Sequence, residues 1–237
     1  MILASLEVWH SRPIAPTRRV ALGDSDLPTD PAPGAGGLLL GAVLARFASQ
    51  LDAEMRAEML ALMNEVERGQ RIGQPRLRHR LQADRVGLGR SRHRLVAGPD
   101  GLRFELETAK GLPAQSALAA VYAVGGVPID RRTEIMAVLR RGLDWVGPVG
   151  SGLIEHLVGA DVAMRMRSGA YSIASDPLIW AMGVLELDGG GDDFAPRDIQ
   201  RSYRRLVRDA HPDHGAGRDD AADRIAELSR AREILLP

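Results

Sequence analysis

The sequence predicts a mainly α protein: a helical N-terminal domain over residues 1–171 with a small β-hairpin, then a C-terminal antiparallel helical hairpin within residues 172–237. Three observations carry this expectation. Apolar residues recur at helical spacing through most of the chain. One segment, near residues 93–107, alternates in the manner of paired strands around a turn. Two amphipathic stretches joined by a short Pro- and Gly-containing loop close the chain, over residues 196–235.

The elements follow in order. Residues 1–34 are rich in Pro, Asp and Gly, although Leu6 and Val8 flank Glu7 as in a short strand. The stretch DLPTDPAPGAGG reads as a loop. Helices are expected over about residues 38–49 and 53–68, the second with Met55, Met59, Leu60 and Met63 on one side. Residues 69–94 are basic and interrupted by Gly73, Pro75 and Gly87. Leu95 and Val96 then lead into Gly98-Pro99-Asp100-Gly101, after which Leu102, Phe104 and Leu106 alternate with Arg103 and Glu105: a hairpin. Further helices are expected over residues 116–124, from Asp130 as a cap to Leu143, and from about Leu153. Residues 172–176 read as a linker.

Composition narrows the function. The 237 residues allow one large domain or two modest ones. Aromatics make up only 4% of the chain, so the core must rest on Leu, Val, Ile, Ala and Met. With no cysteine, disulfides, thiolate zinc sites and cysteine nucleophiles are excluded. That suits a reducing compartment, and a cytoplasmic protein is expected. The start, MILASLEVWHSRP, lacks the basic and apolar regions of a signal peptide. The longest uncharged apolar run, residues 35–45, is shorter than the ~20 residues of a membrane span. It reads as the buried start of a helix, and no membrane partner is expected.

The informative segment is residues 196–235. Pro196 suits a first helical position, where its missing N–H costs nothing. Asp198 falls in the first turn, where negative charge complements the helix dipole. At about 100° per residue, Ile199, Tyr203, Leu206, Val207 and Ala210 share one side. Arg197, Arg201, Arg204 and Arg208 form a stripe opposite, with Arg205 beside it. The helix must stop near Ala210, because His211 precedes Pro212 and is pushed out of the α region. A loop, His211-Pro212-Asp213-His214-Gly215-Ala216-Gly217, follows. Asp219 or Asp220 can cap a last helix with Ala221, Ile225, Leu228, Ala231 and Leu235 on its apolar side.

PRDIQRSYRRLVRDAHPDHG followed by RIAELSRAREIL resembles the core of the DnaJ family's J domain, with its basic helix II, His-Pro-Asp loop and apolar helix III. Residues 176–184 resemble that family's helix I opening, with Met182-Gly183-Val184 in place of Leu-Gly-Val. The sequence departs from the pattern in a longer loop, ELDGGGDDFA, in Ala195 where Ser or Thr is common, and in Arg232 at a usually aromatic position. The resemblance implies a co-chaperone that stimulates the ATPase of a DnaK-type heat shock protein 70. Arg201, Arg204, Arg205 and Arg208, with Tyr203, would hold the complex, and His211, Pro212 and Asp213 would bias the chaperone toward hydrolysis. The resemblance implies no catalytic residue, cofactor or metal in the chain itself. The client would be a protein that the sequence does not name, and residues 1–171 would be an attachment unrelated to the J domain.

The alternative is a nucleic-acid-binding or scaffold protein that uses the basic region 68–94 and carries a decayed J domain. Arg68, Arg71, Arg76, Arg78, Arg80, Arg85, Arg90, Arg92 and Arg94 cluster, with His79 and His93 among them, and such a patch can neutralise phosphates. Against it, no aromatic interleaves the cluster, and Asp52, Glu54, Glu58, Glu65 and Glu67 just upstream can pair with it. Nucleic acid is therefore not the expected partner. An enzyme is not expected either: there is no phosphate loop, nucleophile elbow or two-histidine helix motif. His211, Asp213 and His214 are rejected as a metal site because Pro212 and the glycines oppose a preformed geometry.

Overall fold

The computed structural model describes residues 1–12, 17–98, 101–175, 177–187, 194–210 and 218–236. The chain divides into two compact units. One comprises Ile2–Val96 and Leu102–Arg167; the other comprises Met1, Ala97–Gly101 and Ser168–Pro237.

The first unit is built on strands β1 (Ile2–His10), β2 (Arg19–Leu22), β3 (Arg80–Leu81), β4 (Gly89–Gly98) and β5 (Gly101–Leu106), apart from the last two residues of β4 and the first of β5, which group with the second unit. They form a five-stranded sheet in the order β3-β2-β1-β4-β5. β1 is antiparallel to both β2 and β4, with Leu6 opposite His93 and Val8 opposite both Ser91 and Leu22. β2 and β3 are parallel. Ala4, Leu6, Val8 and His10 point into the core, alternating as a half-buried strand must.

Helices α1 (Gly34–Ala48), α2 (Ala53–Glu67), α3 (Pro113–Ala123), α4 (Arg132–Leu143) and α5 (Ser151–Val158) complete this layer. α6 (Ala160–Ser175) begins in the first unit, and its last residues belong to the second. α1 is the central helix. It is buried almost all round from Gly36 to Ala48 and packs against α3, α4, α5 and β1. Small residues permit this: a Cβ on Gly142 of α4 would overlap the carbonyl oxygen of Gly41 in α1. Asp52 caps α2 by accepting from the Met55 amide at 2.8 Å.

The mainly α expectation is corrected. The protein is about half helix and carries a five-stranded mixed sheet, where the sequence predicted one small hairpin. The N-terminal segment, read as loop-rich with a short strand around Leu6 and Val8, supplies the nine-residue central strand β1, and the basic segment supplies β3 and most of β4. Their inward positions explain the miss. In β4 these include Ser91 and His93, so alternation of Arg with Ser and His does not register as apolar periodicity. β2 and β3 are too short to announce themselves. On α2, Met59, Leu62, Met63 and Val66 are buried, whereas Leu60 faces solvent.

The second unit contains α7 (Pro177–Val184), α8 (Pro196–Asp209) and α9 (Arg218–Leu235). The expected helical hairpin is also corrected, to three helices, because α9 packs against both α7 and α8. Ala181, Val184, Leu185, Ile199, Leu206, Leu228 and Ala231 form its core. Residues 172–175, read as linker, continue α6, and α9 begins at Arg218, so Asp219 and Asp220 lie inside it. Among the described residues no helix is long and apolar enough to cross a membrane.

Candidate functional site

α8 starts without a side-chain cap: Ala195 is extended, and its carbonyl accepts from the Asp198 amide at 2.8 Å. Pro196 fills the first helical position, and Asp198 in the first turn lies 3.7 Å from Arg201. From there the helix divides sharply. Ile199, Ser202 and Leu206 are buried, and Tyr203, Val207 and Ala210 are half-buried. Arg197, Arg201, Arg204, Arg205 and Arg208 are all exposed. Five guanidinium groups thus stand on one side of four helical turns, where like charges three and four residues apart repel one another.

The helix ends at Asp209, with the Ala210 amide still bonded to the Leu206 carbonyl at 2.9 Å. His211, Pro212 and Asp213 lie outside the described residues. Of the residues singled out by sequence, Arg201, Arg204, Arg205 and Arg208 share the exposed side, and Tyr203 turns toward α9. The Tyr203 hydroxyl is 3.3 Å from the Ser229 hydroxyl, and the Arg232 guanidinium sits over its ring at 5.0 Å. Arg232, a departure in the sequence, therefore stacks on Tyr203 by a cation–π contact.

Two residues at this site escaped the sequence reading. Glu186, just after α7, accepts from Arg205 at 2.8 Å. Ser202 donates its hydroxyl proton to the Leu185 carbonyl and lies 3.4 Å from Arg205. Ser202 was legible as a small polar residue on an otherwise apolar side; Glu186 had no signal, because its contact is with a residue 19 positions away.

The basic segment 68–94 is organised differently. Arg76 bonds both carboxylate oxygens of Glu65 at 2.7 Å, and Arg78 lies 3.4 Å from Glu54. Arg85 lies 3.6 Å from Asp24, and Arg92 and Arg90 lie 3.0 and 3.5 Å from Glu7. Glu7 is only 5% exposed and also accepts from the Trp9 indole at 2.6 Å. His79 and His93 are buried, not part of a surface patch. Glu65 and Glu54 are two of the carboxylates anticipated as partners, whereas Glu7 comes from the central strand β1 and Asp24 from the loop after β2. Among the described residues no three His, Asp or Glu side chains gather to hold a metal ion.

No family model matches the chain, and no solved structure matches it. A 47-residue stretch is 40% identical to Chaperone protein DnaJ 1 of Mycobacterium bovis and to the proteins of the same name in two strains of Mycobacterium tuberculosis. The match covers 20% of this chain and only 12% of the length of each of those relatives. The chain thus has a partial, DnaJ-like relationship.

Proposed function

We propose that the chain is a co-chaperone of the J-domain kind, which stimulates the ATPase of a DnaK-type heat shock protein 70. The observation that carries this is the exposed arginine side of α8, which ends two residues before His211-Pro212-Asp213. The DnaJ-like stretch supports it. In this reading the arginine side meets an acidic surface of the chaperone, and complementary charge accelerates encounter and fixes register. His211, Pro212 and Asp213 then favour the chaperone's hydrolysing conformation, which requires that they bind that conformation better than the resting one. The chain catalyses no covalent step, and it works in the cytoplasm with its chaperone. The basic segment 68–94 does not support a nucleic-acid reading as well, since Arg76, Arg78, Arg85, Arg90 and Arg92 face carboxylates of the chain itself.

The test is steady-state ATP hydrolysis by the host's DnaK-type chaperone with increasing amounts of the full chain. Wild type should raise the rate. His211→Gln and Asp213→Asn should abolish the increase even at saturation, with unchanged circular dichroism. Loop variants that stimulate as wild type does would reduce the tripeptide to a helix stop. No stimulation by wild type would move the function into residues 1–171.

A further inference from the structure

α7 ends in an unusual way. The Leu185 amide bonds the Ala181 carbonyl at 3.1 Å, the Glu186 amide reaches back to Gly183 at 3.2 Å, and the Leu187 amide reaches Met182 at 3.0 Å. This closing turn places Glu186 at φ = 51°, in the left-handed region. Glycine is the ordinary residue there, because a side chain at positive φ is strained. A glutamate held in that conformation calls for a compensating contact, and its carboxylate has one, Arg205 at 2.8 Å.

A half-exposed ion pair by itself does little. Here it is one link of a chain. Arg205 touches Ser202 as well as Glu186, and the nearly buried Ser202 donates to the Leu185 carbonyl, an acceptor at a helix end that lacks an intrahelical partner. The last turn of α7 is thereby tied at two points to the middle of α8. Arg205 and Glu186 are each about half exposed, 52% and 51%, whereas Arg201 is 80% exposed.

We propose that Arg205 is a positioning residue that clasps the end of α7 to α8 through Glu186 and Ser202, while Arg197, Arg201, Arg204 and Arg208 form the docking face proper. The inference rests on the co-chaperone reading and deepens it. A chaperone carboxylate that recruited Arg205 would first have to displace Glu186. One that meets Arg204 or Arg208 has no such competitor on the described part of the chain. The clasp fixes where α8 stands relative to α7 on their shared support α9, and so the angle at which the arginine face and the residues beyond Asp209 are presented.

A charge swap in the full chain separates the two roles, with ATPase titration and amide hydrogen exchange as readouts. Arg205→Glu should lower the maximal stimulation severalfold, leave the half-saturating concentration nearly unchanged, and speed exchange at Leu185, Glu186 and Leu187. Adding Glu186→Arg should restore maximal rate and protection together. Arg204→Glu should instead raise the half-saturating concentration severalfold, with no rescue by Glu186→Arg. The proposal is overturned if the swap restores nothing, if Arg205→Glu behaves as Arg204→Glu does, or if exchange in the α7 turn ignores Arg205. Should wild type stimulate no chaperone, the co-chaperone reading fails, and the exchange rates alone still decide whether the clasp exists.

Discussion

Arg132 and Arg204 carry the same charge to opposite ends. In the first unit Arg132 spends its guanidinium on the chain: it donates to the carbonyls of Val127 at 2.8 Å, Val66 at 3.1 Å and Gly125 at 2.6 Å. Arg56 likewise reaches the Leu143 carbonyl at 2.8 Å, and Arg140 bonds Glu67 and Asn64. Arg132 and Arg56 thus tie helix-end and loop carbonyls to the elements that carry them, and Arg140 ties two side chains of α2 to α4. In the second unit Arg201, Arg204 and Arg208 face solvent. Burial differs in the same sense. The first unit buries Glu7, His10, His79 and His93, whereas among its described residues the second buries one polar side chain, Ser202. Where an arginine's partner lies says more about its role than the number of arginines in the segment.

The largest test of this contrast is acid. His93 is fully buried against Phe47, and neither ring nitrogen has a hydrogen-bond partner among the described residues. Burial pushes its pKa down to about 4, with the Glu107 carboxylate opposing and His10 adding to the shift. The unfolded chain takes up that proton near pH 6.5 and the folded chain only near 4. Stability from the neutral ring is therefore whole above pH 6.5 and falls as the pH drops toward 4. The loss amounts to about 3 kcal/mol for this one group. Urea midpoints between pH 7.5 and 4.5 should show that slope in wild type and a much flatter one in His93→Leu, which leaves no polar atom orphaned. An unchanged slope in the variant would assign the acid sensitivity to other groups.

Arg132→Ala should cost about 2 kcal/mol at neutral pH, since it strips donors from three carbonyls at once. Arg132→Lys should recover only part, because an ammonium cannot reproduce the planar fork. Equal urea midpoints for wild type and Arg132→Ala would erase the distinction between stapling and surface arginines.

The contrast also explains what could be read in advance. On α8 every inward position but one is apolar and every outward arginine is free of the core, so a 3.6-residue period places Tyr203, Leu206 and the stripe without knowledge of the rest. α1 was legible because a run with no charged residue before Arg46 can only be buried. The sheet was not, because β1 meets β4 only across a long stretch of intervening chain and the pairing of Glu7 with Arg92 appears only once the strands are aligned. Glu186 was hidden for the same reason at shorter range. Periodicity reports which side of an element is buried; it is silent on which distant residue will meet it.

The smallest expected effect is on the stability of α8 itself, and its smallness is informative. Arg204 and Arg208 are four residues apart on the exposed side, with Arg201 three before Arg204 and Arg205 three before Arg208. Like charges at these spacings destabilise a helix by roughly 0.2–0.5 kcal/mol per pair, and alanine is the better helix former. Arg204→Ala and Arg208→Ala should therefore leave the urea midpoint unchanged or slightly raised, by no more than ~0.5 kcal/mol. Added salt should narrow the gap to wild type, because it screens the repulsion that the variants remove. A surface selected for folding alone would not keep such a cluster, so a neutral or stabilising alanine alongside weaker chaperone association would mark the stripe as kept for a partner. If either alanine instead cost as much as Arg132→Ala, α8 would be using its arginines as the first unit does, and the division between the two regions would fall.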